Sequence, residues 1–449
     1  MKKFDVVIVG GSAAGVTAAV TARKYYPNKR ILMIKDVVNV PIPCGIPYVF
    51  GTVGDSMKNL LPTGMMMEKS GVEVMNDEVK MIDRKEKLVF LSNQSIAYDK
   101  LVLAIGSYPI KPNLPGANLQ KVYTIVKDAT FLAGMFEDVK DCNNFSIIGG
   151  GFIGMEMAEE IKKMRPEAAV QIIEMQDHCL KLVYDDDYCA LAEAGISEQG
   201  IQLLVNEKLE AIVGTKQVEA IRLASGKEIK SDCVIFGIGC LPNTKLAVDA
   251  GLDIGPARGI AVNEFMQTSD PSIFACGDCA EKKSFFDSSP SGLRLASIAT
   301  AEARMVGVNL YQLKRENKGT IGVFSTYLGK KTYAAAGLTA KDAKNTGYDV
   351  IIGNAEAINR PPGGMPGAEM LKVRLLFDGK DMHLLGGQVY GAASGGELIN
   401  VIGALIAKKV TAEEIVLFQA GTHPALTASP VAYQLVNAAE AAMVAHLNR

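Results

Sequence analysis

The chain has 449 residues, 48% of them apolar, and a formal net charge of −2. That length exceeds one compact core and implies two or three domains, while the near-neutral charge gives no reason to expect nucleic acid or an anionic membrane as partner. Eight cysteines over this length lack the density of a secreted disulfide scaffold, and no stretch approaches the roughly 20 apolar residues that span a bilayer, so a cytoplasmic location is expected.

The first element reads as a buried strand. Asp5 breaks the opening apolar run and Gly10-Gly11 end it before any cleavage-like segment, so Val6 to Val9 is not a signal peptide. The turn Gly10-Gly11-Ser12-Ala13-Ala14-Gly15 follows, then a helix-compatible stretch from Val16 to Tyr25 and a second apolar run from Ile31 to Ile34. In such a unit the glycines permit a tight turn, close approach to a pyrophosphate and helix-strand packing, and the phosphate rests on the helix N-terminus. Where a ribose-binding acid is usual, this chain has Lys35, with Asp36 beside it as the candidate carboxylate.

Cys44 lies in Pro41-Ile42-Pro43-Cys44-Gly45-Ile46-Pro47-Tyr48, and the next cysteine is Cys142. A redox dithiol needs two sulfurs within bonding reach. A catalytic Cys44 therefore cycles as a mixed disulfide, persulfide or sulfenic acid. Gly45 and Pro47 are expected to open a helix whose amides face the sulfur and favour its thiolate.

The glycine pattern recurs. Phe145 to Ile148 leads into Gly149-Gly150-Gly151-Phe152-Ile153-Gly154, a helix-compatible stretch from Met155 to Met164, and a strand from Val170 to Ile173. Two such units are a far stronger dinucleotide signal than one. Glu174 stands about 20 residues beyond the glycines, where a carboxylate accepts from ribose hydroxyls. Met175, Gln176 and Asp177 offer no cation for a 2′-phosphate, which favours NADH over NADPH. Downstream, the strand of Thr268 to Ala275 runs into Cys276-Gly277-Asp278-Cys279. Asp278 suits a sugar-alcohol hydroxyl and Gly277 a diphosphate. The cysteine pair has no second pair to match it, so no metal is expected. Beyond Lys318-Gly319 come strand-like Ala334 to Leu338, Val350 to Ile352 and Leu371 to Leu375, then helix-like Leu398 to Lys408 and Pro430 to Leu447.

The string around Asp278, with Leu101 to Gly106 and Cys233 to Gly239, resembles the second FAD motif and crossover strands of the pyridine nucleotide-disulfide oxidoreductases, and the resemblance covers essentially the whole chain. It implies an α/β fold of two Rossmann-like dinucleotide-binding domains plus an α+β C-terminal dimerisation domain. The FAD domain would comprise 1–115 and 245–320, the NAD domain 116–244, and the dimerisation domain of a homodimer 321–449. Implied cofactor contacts are Gly10, Ser12, Ala13, Ala14, Gly15, Lys35, Asp36, Pro43, Val79, Ala104, Gly106, Gly149, Gly151, Phe152, Ile153, Gly154, Glu174, Gly239, Gly277, Asp278 and Ala296.

The string from Pro43 to Tyr48 is similar to the single-cysteine branch, which holds coenzyme A-disulfide reductases, NADH-dependent persulfide and polysulfide reductases, NADH oxidases and NADH peroxidases. The dithiol branch has Cys-x4-Cys, and Val49 stands at the second position here. The resemblance implies hydride transfer from NADH to flavin, then reduction of a sulfur at Cys44, with Glu156 as a carboxylate near the reacting rings. His423-Pro424 resembles the motif through which a partner subunit supplies an acid/base, with Ala428 in place of the usual glutamate. Ala13 replaces the histidine of the oxidases and peroxidases, while Pro361, Pro362 and Gly421 stand where coenzyme A-disulfide reductases carry tyrosines. Thr17 matches a substrate contact, and Arg23, Lys24 and Lys69 are candidates for a 3′-phospho-ADP handle. The expected activity is FAD-dependent, NADH-driven reduction of a small-molecule disulfide, persulfide or polysulfide, coenzyme A-linked by preference. The alternative is an NADH oxidase or peroxidase cycling Cys44 through sulfenic acid.

Overall fold

The computed structural model describes residues 2–449, in two compact units: 2–113 with Tyr123–Asp141 and Ile238–Thr320, and Leu114–Val122 with Cys142–Gly237 and Ile321–Arg449. In the first unit, strands Glu73–Asn76, Ile31–Lys35, Lys2–Val9 and Ser95–Leu103 lie side by side and parallel, and Ile273–Ala275 runs parallel to the last. Val9 is level with Ile34 and Leu103, and Leu103 with Ala275, so these strands end along one edge. A parallel strand is covered on both faces, which is why Ile31–Lys35 is buried at every position. One cover is the helix Ala13–Tyr25, whose small residues let it pack closely on the helix Ala296–Asn309. A methyl group on Gly307 would lie 2.6 Å from the Thr21 Cβ.

The second unit repeats the device. Strands Ile201–Leu204, Ala169–Ile173, Asn144–Ile148 and Cys233–Phe236 are adjacent and parallel, with Ile148 level with Ile173 and Phe236. The helix Phe152–Met164 leaves the glycine turn between the middle strands. The C-terminal part of this unit is different: an antiparallel five-stranded sheet in the order Val323–Leu328, Lys331–Gly337, Leu384–Gly391, Met370–Asp378, Val350–Ile358. Helices Gly395–Ala407 and Gln434–Leu447 pack on it, the latter so closely that a methyl on Gly353 would meet the Ala438 carbonyl oxygen at 1.8 Å. The α/β class, the two Rossmann-like sheets and the separate sheet-rich C-terminal region agree with expectation. Among the described residues no helix is long and apolar enough to cross a membrane.

Candidate functional site

The first glycine turn sits where its sheet ends. Gly10 has φ +117°, a backbone region that side chains avoid, and a methyl on it would lie 2.2 Å from the Ala104 carbonyl oxygen. One on Gly15 would lie 2.0 Å from the Gly10 carbonyl oxygen. Ser12 caps the helix by position alone, with no side-chain bond to the first-turn amides, so those N–H groups remain available for a phosphate. Ala13 is half-buried and Ala14 buried; Val79 and Ala104 are buried and Pro43 is half-buried. Lys35 is buried, and its ammonium donates to the carbonyls of Val37 and Val38, while Asp36 is exposed. Burial pulls the Lys35 pKa down against the opposing charge of Asp36.

Gly277 and Asp278 follow the strand Ile273–Ala275 in a short turn. The Asp278 carboxylate accepts from Ser107 Oγ at 2.7 Å and from Lys127 Nζ at 2.9 Å, and Lys127 also donates to Ser107 at 3.1 Å. Burial pushes this carboxyl up, but the Lys127 charge and the two hydrogen bonds outweigh it and hold it below the usual range. Ser107 and Lys127 were not singled out in the sequence. They lie far from Asp278 along the chain and belong to no local motif. Gly106 lies just ahead of Ser107 at φ +68°, Gly239 accepts from the Ile110 amide, and Ala296 opens its helix.

Cys44 lies in the same unit and is exposed; among the described residues six of the other cysteines are buried and Cys240 is half-buried. The expected helix after Cys44 does not form. Pro43–Gly45 and Pro47–Val49 are single 3-10 turns, because each proline removes an amide that a longer helix needs. These short turns supply no helix dipole to favour the Cys44 thiolate. The Asn59 side chain pins the loop instead, donating to the Ile42 carbonyl at 3.0 Å. Arg23 also departs from expectation. Its guanidinium donates to the carbonyls of Ser70, Pro27, Lys29 and Gly71, so it ties two helix ends together and is largely spent as a phosphate handle. Lys24 and Lys69 remain exposed at those ends, and Thr17 is half-buried.

In the second unit, a methyl on Gly154 would lie 1.8 Å from the Gly149 carbonyl oxygen, and no side chain caps the helix that begins after Gly151. Glu174 accepts from the Gly150 amide at 2.6 Å and the Gln176 amide at 2.8 Å, so one carboxylate fixes the turn. Lys181 comes near this segment, held by Asp177 and Asp186. Ile153 is exposed, whereas Phe152 stacks on Phe324 with centroids 5.3 Å apart.

Glu156, one turn along the same helix, accepts from Thr326 Oγ1 at 2.7 Å. Burial pushes its pKa up to about 7, against the Thr326 hydrogen bond and with help from the charges of Glu159 and Glu160. The folded value thus exceeds the unfolded value near 4.5. The native state holds this proton more tightly, so the stability it provides is complete at low pH and is lost as pH rises through about 7. Glu156→Gln keeps an acceptor for Thr326. It is expected to raise unfolding free energy by up to about 3 kcal/mol at pH 8 and nothing at pH 4. Denaturant titrations at the two pH values check this. Thr326, a strand residue far along the chain, was also missed in the sequence.

His423 is exposed in a loop. Its Nδ1 accepts from the Ala425 amide at 3.2 Å, which assigns the ring proton to Nε2 in the neutral form. That is the opposite polarity to a histidine whose Nδ1–H is held by a carboxylate. His423 is thus set to donate from Nε2 when neutral. Ala428 is buried and takes no part in the hydrogen bonding.

Comparison with known proteins places these features among relatives. The family model described as "Pyridine nucleotide-disulphide oxidoreductase" matches residues 4–303, and that for its dimerisation domain matches 323–432. The chain is 30% identical over 425 residues to the NADH oxidase of Methanocaldococcus jannaschii, covering 91% of this chain and 92% of the relative. It is 31% identical over 399 residues to the NAD(P)H coenzyme A polysulfide/persulfide reductase of Pyrococcus horikoshii, covering 87% and 88%. The solved structure of the NAD-dependent persulfide reductase from A. fulgidus aligns with a TM-score of 0.90 at 26% identity, over 99% of this chain and 84% of that one.

Proposed function

This chain belongs to the pyridine nucleotide-disulphide oxidoreductase family, an FAD- and NADH-dependent family of oxidoreductases, and from that premise we propose that it reduces a disulfide, persulfide or polysulfide, coenzyme A-linked by preference, through Cys44. The observation that carries the reading is the state of the cysteines. Cys44 is exposed on a proline-framed loop, and Val49 occupies the place of a second redox thiol.

The residues present fit FAD. Gly10 and Gly15 let the turn close tightly against Ala104 and on itself, as a phosphate-binding turn requires, the uncapped helix start offers amides to the pyrophosphate, and Asp278 is kept ionised for a sugar-alcohol hydroxyl. When bound, FAD would take hydride from NADH and deliver an electron pair to sulfur. Cys44 Sγ, as thiolate, attacks the substrate S–S bond, displaces one thiolate and forms a mixed disulfide. Two electrons and a proton break that bond, regenerate the Cys44 thiolate and release the second half as a thiol. Lys24 and Lys69 offer positive charge to a phosphorylated thiol. His423, supplied by the second subunit of a homodimer, donates a hydrogen bond from its Nε2–H to the departing thiolate, which takes its proton from solvent. Glu174 holds the adenosine ribose and repels a 2′-phosphate.

The M. jannaschii relative favours a second reading, in which oxygen or peroxide is the acceptor. Ala13 in place of a turn histidine speaks against it. Turnover of NADH with coenzyme A disulfide or polysulfide under argon, and with air alone, separates the two. The sulfur acceptors are expected to sustain turnover without oxygen; fast NADH oxidation in air with none under argon overturns the reading. NADPH is expected to be at least about tenfold poorer in kcat/KM, the cost of one unfavourable charge contact.

A further inference from the structure

Behind the Gly277-Asp278 turn lies an ion pair with no counterpart in the motifs above. Lys282 and Glu302 have side chains only 3% and 2% exposed. The Lys282 ammonium donates to Glu302 Oε2 at 2.9 Å, to the Ala280 carbonyl at 3.0 Å and to the Gly277 carbonyl. The same Glu302 oxygen accepts from the Gly277 amide at 2.9 Å. Both peptide groups of Gly277 are thus held by one buried pair, with all three lysine protons used. Gly277 needs such restraint, since it sits at φ +76° and a methyl there would lie 2.9 Å from the Ala14 Cβ. Glu302 Oε1, also buried, has no hydrogen-bond partner.

A buried pair is a poor source of stability. Desolvation of two charges offsets their attraction, and replacing both by apolar residues of similar size is often neutral. Its position suggests another use. Neither member hydrogen-bonds Asp278, whose carboxylate meets Ser107 and Lys127, and the Lys282 charge acts on it only through space.

We propose that Lys282 and Glu302 are positioning residues for the flavin: they clasp the Gly277 peptide groups and so aim Asp278 and the turn at the cofactor. The assignment rests on Gly277 and Asp278 being flavin ligands, as proposed above. Loss of either partner alone strands a buried charge and threatens the fold, so the informative variant is the double replacement Lys282→Met with Glu302→Met. Purified as holoenzyme, it is expected to melt close to wild type once stripped of flavin. Its flavin dissociation constant, read from the visible spectrum on dilution, is expected to rise at least about tenfold, the worth of a charge-assisted hydrogen bond. A double variant with wild-type flavin affinity overturns the assignment. So does one that fails to fold, since the pair would then be a folding element. Asp278→Ala serves as control. If it too leaves flavin affinity unchanged, the flavin reading of this turn falls and the clasp with it; if it loosens flavin while the double variant does not, only the clasp falls.

Discussion

Replacing Cys44 by serine is expected to lower NADH-driven reduction of sulfur substrates by at least roughly 1,000-fold, the scale on which an enzyme loses its nucleophile. A hydroxyl of almost the same size fills the site but is not ionised at neutral pH and forms no mixed disulfide. Since Cys44 is exposed and not part of the packed core, the variant should fold and keep its flavin. Stopped-flow mixing with NADH should still bleach the flavin absorbance at a rate near wild type. Only the second half of the cycle, reoxidation by the sulfur acceptor, should stop. Retention of sulfur reduction in Cys44→Ser would show that the electrons leave by another route.

The second large effect is expected at Gly10. Alanine there places a methyl 2.2 Å from the Ala104 carbonyl oxygen in a backbone region closed to side chains. Neither partner yields easily, because Gly10 and Ala104 are both held in the sheet edge: the Gly10 amide donates to the Ile34 carbonyl and the Ala104 amide to the Val9 carbonyl, each at 2.8 Å. Gly10→Ala is expected to cost at least about 3 kcal/mol and to yield protein purified without flavin colour. A yellow, normally stable Gly10→Ala protein would mean that the turn is not the flavin cradle.

Much of this architecture was legible because it is written locally. The apolar runs ending in glycines specified both parallel sheets, and the helices begin within three residues of where the pattern put them, at Ala13 and Phe152. Local pattern misled at Cys44, where Gly45 and Pro47 suggested a helix start but two prolines four residues apart leave only separate 3-10 turns. It misled again at Arg23, whose charge is consumed by carbonyls that no sequence window shows beside it. What stayed hidden is the set of polar contacts made across long chain separations. Ser107 and Lys127 on Asp278, Thr326 on Glu156, and Lys282 on Glu302 join residues that only the folded chain brings together. Such partners tune the charge of a site, and the fold can form around many choices of them.

The central claim, that Cys44 carries the substrate sulfur, is tested most directly by mass. The NADH-reduced protein, freed of excess NADH and mixed under argon with coenzyme A disulfide, is quenched with acid and digested. The account predicts a coenzyme A adduct on the peptide containing Cys44, absent from Cys44→Ser and removed by fresh NADH. An unmodified Cys44 peptide in protein that meanwhile oxidises NADH only when air is admitted would contradict it.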